Sequence, residues 1–335
     1  MTSIALLALL VPLSIQDAPA AKPAADTPPV KPLPPRWPMQ AGEAGEDIEG
    51  IVKKGAPILK WSEGHSFTEG PACTFDGAVY FTDIPANEIV RVDPMGAKVV
   101  VKGSKGTNGL FVAKDGTLYG CQGSPGAIVA IDPAAGTVRE VCAKRAEPAE
   151  KTGDSLGRLN DLVVDADGGV WFTAPVIGGR REGRAPDAVY FVPSTGGPAV
   201  QVLQDDAVRA PNGVHLSHDG KTLLVLPYLS TKLMAYPIEA PGKLGAGRVF
   251  YEIPSGTRET MGGDGLTVDE KGHVFITVPA RSAVFVLSPE GKALGMIRFP
   301  ERPSNCALGG KDGRTLYVTA QSSVYSIDVA FARSR

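Results

Sequence analysis

Six times along this chain the same short phrase recurs: an oxygen-bearing residue, often a Gly, a few apolar residues, a Gly-centred turn, then an apolar strand. It opens at Glu69, Asn108, Asn160, Asn212, Asp264 and Asn305, with spacings of 39, 52, 52, 52 and 41 residues. Self-similarity at this period is the mark of propellers and solenoids and overrides domain counting by length. Within the intervals lie short runs rich in Val, Ile, Tyr and Phe, bounded by Gly, Pro, Asn or Asp, as strands are. The first repeat holds four of them: a leading strand from Glu69, then AVYFTD, EIVRVDP and AKVVVKG. No stretch shows sustained helical periodicity. The reading is all-β: a six-bladed β-propeller of four-stranded blades.

The last repeat is one strand short, and Pro57–Trp61 supplies it, so that an N-terminal strand closes the ring. Closure of this kind hides two sheet edges. Asp76-Gly77, Asp115-Gly116, Asp167-Gly168, Asp219-Gly220, Lys271-Gly272 and Asp312-Gly313 follow the leading strands and read as hairpin turns. The start of each leading strand then lies at the opposite end of the ring. The long loops 143–159 and 176–187 fall at that end too, which marks it as the binding face. Arg180, Arg181 and Arg184 in the second loop are candidates to gather an anion.

Residues 1–20, with apolar Ile4 to Ile15 and a small-residue site at Ala18-Pro19-Ala20, read as a signal peptide, although the first 21 residues contain no Lys or Arg. Export to the periplasm or the medium follows. Residues 21–47 read as a Pro/Ala-rich disordered linker and 48–332 as the propeller. A net charge of −2 with no basic block argues against nucleic acid. No apolar run approaches the roughly 18–20 residues of a membrane span. The oligomeric state is not legible. Cys73, Cys121, Cys142 and Cys306 form no CxxC and have no nearby His, so they read as small buried hydrophobes.

Leading strands are innermost in a propeller, so the six opening residues ring one mouth of the central channel. Two carboxylates and four amides converging there are unfavourable unless a cation sits among them. Oxygen-only ligands suit a hard divalent ion, with Ca2+ leading. His215, three residues into a leading strand, is a candidate proton shuttle, and His65 lies on the approach to Glu69.

SFTEGPACTFDGAVYFTDIPANEIVRVDP, RLNDLVVDADGGVWFT, APNGVHLSHDGKTLLV, GGDGLTVDEKGHVFIT and SNCALGGKDGRTLYVTA resemble the gluconolactonase, regucalcin and luciferin-regenerating enzyme family over residues 55–330. The resemblance implies one divalent metal in the channel (Ca2+, or Mg2+, Mn2+ or Zn2+) and hydrolysis of a small-molecule lactone. A phosphotriesterase or aryl esterase on the same site, or a binding module with a structural ion, is the alternative. By motif it makes Glu69, Asn212 and Asp264 metal ligands and Asn160 a fourth ligand or a substrate contact. Arg158 becomes a substrate contact. Asp264 is also the candidate general base, while Asn108 and Asn305 line the channel, with Asn108 and His215 on the substrate side. The sequence departs from the family where Asp commonly follows the second strand, at Ala174 and in VLPYLS of the fourth blade.

Overall fold

The computed structural model describes residues 37–123, 125–149, 153–176, 187–254 and 262–334. They build six antiparallel blades around a channel. Blade 1 comprises Thr68–Cys73, Val79–Asp83, Glu88–Asp93 and Gly96–Lys102. Blade 2 comprises Leu110–Val112, Leu118–Gly123, Gly126–Asp132 and Thr137–Cys142. Blade 3 comprises Leu162–Val164, Val170–Ala174, Ala188–Val192 and Val200–Leu203. Blade 4 comprises Pro211–Leu216, Thr222–Pro227, Lys232–Ala240 and Arg248–Glu252, with Lys243–Leu244 added beside the long third strand. Blade 5 comprises Leu266–Val268, Val274–Val278, Ala283–Leu287 and Ala293–Arg298. Blade 6 takes Pro303–Gly309, Thr315–Ala320 and Ser323–Asp328 from the C-terminal part of the chain.

The strand expected at Pro57–Trp61 is Pro57–Ser62, and it completes blade 6 by pairing with Ser323–Asp328. Trp61 fastens the closure: its indole N–H donates to the Ser326 hydroxyl at 2.7 Å, and its ring lies 5.7 Å from that of Tyr317. The linker expectation fails for residues 39–47. Met39–Glu43 forms a fifth strand on Pro57–Ser62, and Ala44, Ile48, Ile51 and Val52 are buried against blades 5 and 6. The physical reason is edge coverage: a segment without its own periodicity becomes ordered when an open strand edge and an apolar surface stand ready for it. The leader at 1–20 lies outside the described residues.

The six glycines of the hairpin turns all adopt positive φ, from 69° at Gly220 to 89° at Gly77 and Gly116. Blade faces pack on one another through Trp171, Tyr190, Phe81, Phe172 and Phe275, all fully buried. The four cysteines are unpaired and buried, as small hydrophobes would be. Within the loop 143–159 the described residues are partly regular. Lys144–Ala149 forms a hairpin with Gly153–Ser155, and reciprocal hydrogen bonds between Ala199 N–H and Lys144 O and between Ala146 N–H and Ala199 O hold it to the outer edge of blade 3. Leu156 and Leu159, both at 0% exposure, then carry the chain inward to the ring. Arg180, Arg181 and Arg184 lie outside the described residues.

Candidate metal centre and catalytic mouth

The phrase that opens each repeat is a packing device as well as a chemical one. After the opening residue the leading strands approach so closely that a side chain does not fit. A Cβ on Gly70 would lie 2.4 Å from the carbonyl oxygen of Asn108, and one on Gly265 would lie 1.9 Å from the side-chain oxygen of Asn305. Backbone bonds stitch the same step: Gly109 N–H donates to Asn160 O, Gly213 N–H to Asp264 O, and Gly265 N–H to Ser304 O. A second stitch comes from the threonine of the repeated FT, IT and VT dipeptides. The hydroxyl of Thr82 donates to Asn108 O, that of Thr173 to Asn212 O, and that of Thr277 to Ser304 O. These bonds fix the opening residues of neighbouring blades against one another.

Glu69, Asn108, Asn160, Asn212 and Asn305 are all less than 9% exposed, whereas Asp264 remains half-open to the mouth. Glu69 accepts from Gly70 N–H at 2.8 Å and is hydrogen-bonded by Asn305. Asp264 is hydrogen-bonded by Asn212. The structure thereby brings Glu69, Asn212 and Asp264 into one electrostatic cluster. It places Asn160 in the ring through its backbone, with its N–H on Thr173 O. Asn108 is buried in the same ring, and its side-chain oxygen has no hydrogen-bond partner among the described residues.

Asp161 was missed by the sequence reading. It occupies the glycine position of blade 3, where its carboxylate turns into the channel. Leu162 N–H donates to it at 2.9 Å, Val214 N–H of blade 4 donates to it, and the Asn305 amide reaches it from blade 6 at 3.3 Å. Blades 3 and 6 are opposite in the ring, so this bond crosses the channel. The available signal was the broken rule: Asn160-Asp161 stands where Asn108-Gly109 and Asn212-Gly213 demand no side chain.

Three carboxylates thus share a dry mouth. Burial pushes Asp161 up to about 7, with its three hydrogen bonds opposing. Burial and then the Asp161 charge raise Asp264, and burial, then Asp264, raise Glu69 well above the ordinary range. Hydrogen bonds from amides and backbone oppose the shift at all three, and among the described residues no lysine or arginine shares that part. Mutual repulsion in a low-dielectric site is the condition a hard divalent cation relieves. The donors fit such an ion: hard oxygens, two of them on the motif positions Glu69 and Asp264, and an unpartnered amide oxygen on Asn108. Among the described residues no three His, Cys, Asp or Glu side chains form a ready-made cage, so amide oxygens of the ring must complete the donor set.

The other candidates divide. His215 is half-buried; its Nδ1 pairs with Leu216 O at 2.8 Å, and its ring meets the edge of Phe111, 6.1 Å away on blade 2. Burial lowers its pKa and keeps the ring neutral. His65 is packed edge-on against Phe81 with Ser62 and Asp83 beside it, which makes it part of the junction between blades 6 and 1. Arg158 is exposed, and its Cγ and Nε pass 3.7 Å from where a Cβ on Gly123 would be. Ala174 is buried opposite Ala188, so the position of the absent carboxylate is filled by apolar packing.

Comparison with known proteins places this site. A family model for the SMP-30/Gluconolactonase/LRE-like region matches residues 67–322, more than half of the chain. The chain belongs to this family. It is 26% identical over 307 residues to a gluconolactonase of Zymomonas mobilis, covering 84% of this chain and 83% of that protein. It is 30% identical over 293 residues to a diisopropyl-fluorophosphatase of Loligo vulgaris, covering 78% and 88%. The fold matches a gluconolactonase structure from Xanthomonas campestris with a TM-score of 0.74 at 24% identity, covering 90% of this chain and 99% of the other. The family match spans the ring from Glu69 to Asn305.

Proposed function

We propose that this member of the family is a divalent-metal-dependent lactonase acting on a small sugar-derived lactone. Glu69, Asn160, Asn212 and Asp264 would hold the cation, with Ca2+ the first choice on ligand hardness. The observation that carries the reading is the cluster of Glu69, Asp161 and Asp264, two buried carboxylates and one half-open, with no basic side chain among the described residues shown to neutralise them. The lactonase names of relatives aligned over most of the chain support the substrate class.

A divalent ion bound there supplies Lewis-acid polarisation of an ester carbonyl and stabilises the negative charge that develops on its oxygen. The remaining work falls to the chain. Asp264 is the one carboxylate of the three that stays half-open, so it can reach a water at the mouth and accept its proton. Burial and the Asp161 charge raise its pKa in the cation-free fold, and a bound cation would lower it, leaving the carboxylate ionised and able to accept. Asp161, tied by three donors and facing Asp264, sets the local field and keeps the Asn305 amide oriented. Arg158 stands at the rim to hold a substrate hydroxyl or carboxylate. The neutral His215 ring is the candidate for proton relay.

The squid diisopropyl-fluorophosphatase relative favours a second reading, in which the same carboxylates and amides serve phosphotriester hydrolysis. A pH-stat panel on the Ca2+-loaded protein separates the two. Lactone opening that is lost on chelation and regained on Ca2+ addition is the expected result. Turnover that survives exhaustive chelation rejects metal dependence, and turnover of phosphotriesters alone rejects the lactonase.

A further inference from the structure

The floor of the mouth is acidic, but its rim is not. Arg158 stands two residues before Asn160 and Arg302 three residues before Asn305, and both side chains are exposed. They precede the leading strands of blades 3 and 6, which face each other across the channel, as the bond between Asn305 and Asp161 demonstrates. Arg158 is laid over the Gly123 backbone of blade 2. Arg302 is placed by its own N–H, which donates to the Gln321 side chain at 3.4 Å. Neither forms an ion pair among the described residues. The adjacent Glu301 does not neutralise Arg302, because its carboxylate is taken up by Ser322 N–H and by the hydroxyls of Ser322, Ser323 and Tyr325.

Tyr228 links this rim to the ring. Its backbone is pinned on both sides, with its N–H on Ala210 O at 2.9 Å and its carbonyl receiving Gly262 N–H at 2.8 Å. Ala210 is held at φ 50°, and a Cβ on Gly262 would lie 2.2 Å from Pro227 O, so the segment is tightly located. Burial raises the Tyr228 phenol, the Asp264 charge adds to this and Arg302 opposes it, so both charges are felt at Tyr228. A third cation, Arg209, lines a cavity of about 640 Å3 together with Asp205 and Asp206.

We propose that Arg302, opposite Arg158, is a specificity residue that selects lactones bearing an anionic substituent, a carboxylate or a phosphate, over neutral ones. The substituent lies at the rim, while the ester lies over Asp264. This inference rests on the lactonase reading for the substrate's ring. A guanidinium at an exposed rim attracts an anion and can grip it with paired N–H donors, which a neutral hydroxymethyl group cannot exploit.

The test uses the full chain loaded with Ca2+ and three lactones of one ring size, ending in a hydroxymethyl, a carboxylate or a phosphate monoester. A charge-assisted contact of this kind predicts a kcat/KM preference of about tenfold or more for an anionic lactone. The preference shrinks as salt is raised. Arg302→Met, with its melting curve checked, removes about tenfold more from the anionic than from the neutral lactone. Which anionic lactone leads identifies the group recognised. Equal or better use of the neutral lactone, or a preference untouched by Arg302→Met, overturns the proposal. If no lactone turns over, the lactonase reading falls, and calorimetry with the corresponding ring-opened acids decides the rim separately. Tighter binding of a dianion than of a monoanion, abolished in Arg302→Met, upholds it, and equal binding overturns it.

Discussion

Each leading strand has an acidic or amide group near both of its ends, and the two ends behave in opposite ways. At the turn end, Asp219 accepts from the Ser217 hydroxyl at 2.6 Å and from Lys221 N–H at 3.1 Å, and these bonds hold its carboxyl below the ordinary range. Asp76 is likewise lowered, by Thr74 and Ala78. At the ring end, Asp161 and Asp264 are raised by burial. The residue type and the period are the same. What differs is water: Asp76 and Asp219 are solvated and satisfied, so they stabilise a hairpin, whereas the ring carboxylates are crowded and drier, so they store repulsion that a ligand can release. Repetition along a chain therefore does not identify function until the two ends are separated in space.

The sharpest way to break this contrast is Asp264→Asn. It should lower lactone kcat/KM by about 10²–10⁴, the usual worth of a general base, while the melting temperature in chelator stays level or rises. Retained turnover in the pH-stat assay would show that the ring end is as structural as the turn end.

The second effect is ion binding. Saturating Ca2+ at ~100 times its dissociation constant should stabilise the fold by about 2.7 kcal/mol, read as a rise in melting temperature over the chelated protein. An unchanged melting curve would mean that no ion relieves the ring.

Third is the pH profile of the chelated protein. Asp161 titrates near 7 in the fold and near its ordinary 3.8 when unfolded. Below about pH 4 both states are protonated and carry no penalty. Between about 4 and 7 the unfolded chain releases a proton that the fold retains, so stability falls as pH rises, on the order of a few kcal/mol, and levels off above 7. Asp161→Asn should lessen this decline in urea titrations, leaving the part that Asp264 and Glu69 contribute through burial. A stability that instead climbs from pH 4 to 7 would remove the ring's repulsion from the account.

The smallest effect belongs to the turn. Asp219→Ala should cost about 0.5 kcal/mol or less, given its exposure, and leave turnover unchanged. Its lowered pKa makes that contribution present above pH 4 and lost in acid, the reverse of Asp161. Loss of activity in this variant would erase the distinction between the ends.

The sequence alone determined the blade count, the ring-opening residues and the closing strand Pro57–Ser62, because strand alternation, Gly-centred turns and a fixed repeat are local signals. The repeat also carried Glu69, Asn212 and Asp264 to one place before any coordinates. Only the tertiary structure decided that Asp161 is the third carboxylate, since its role arises where strands from blades 2, 3, 4 and 6 converge and no local pattern records that meeting. The same holds for Met39–Glu43, which is ordered by the edge of Pro57–Ser62 once that strand has closed blade 6, and for the hairpin at Lys144–Ala149, held to blade 3 by Ala199. Burial and long-range pairing are properties of the assembled ring, and they alone separate an aspartate that closes a turn from one that waits for a cation.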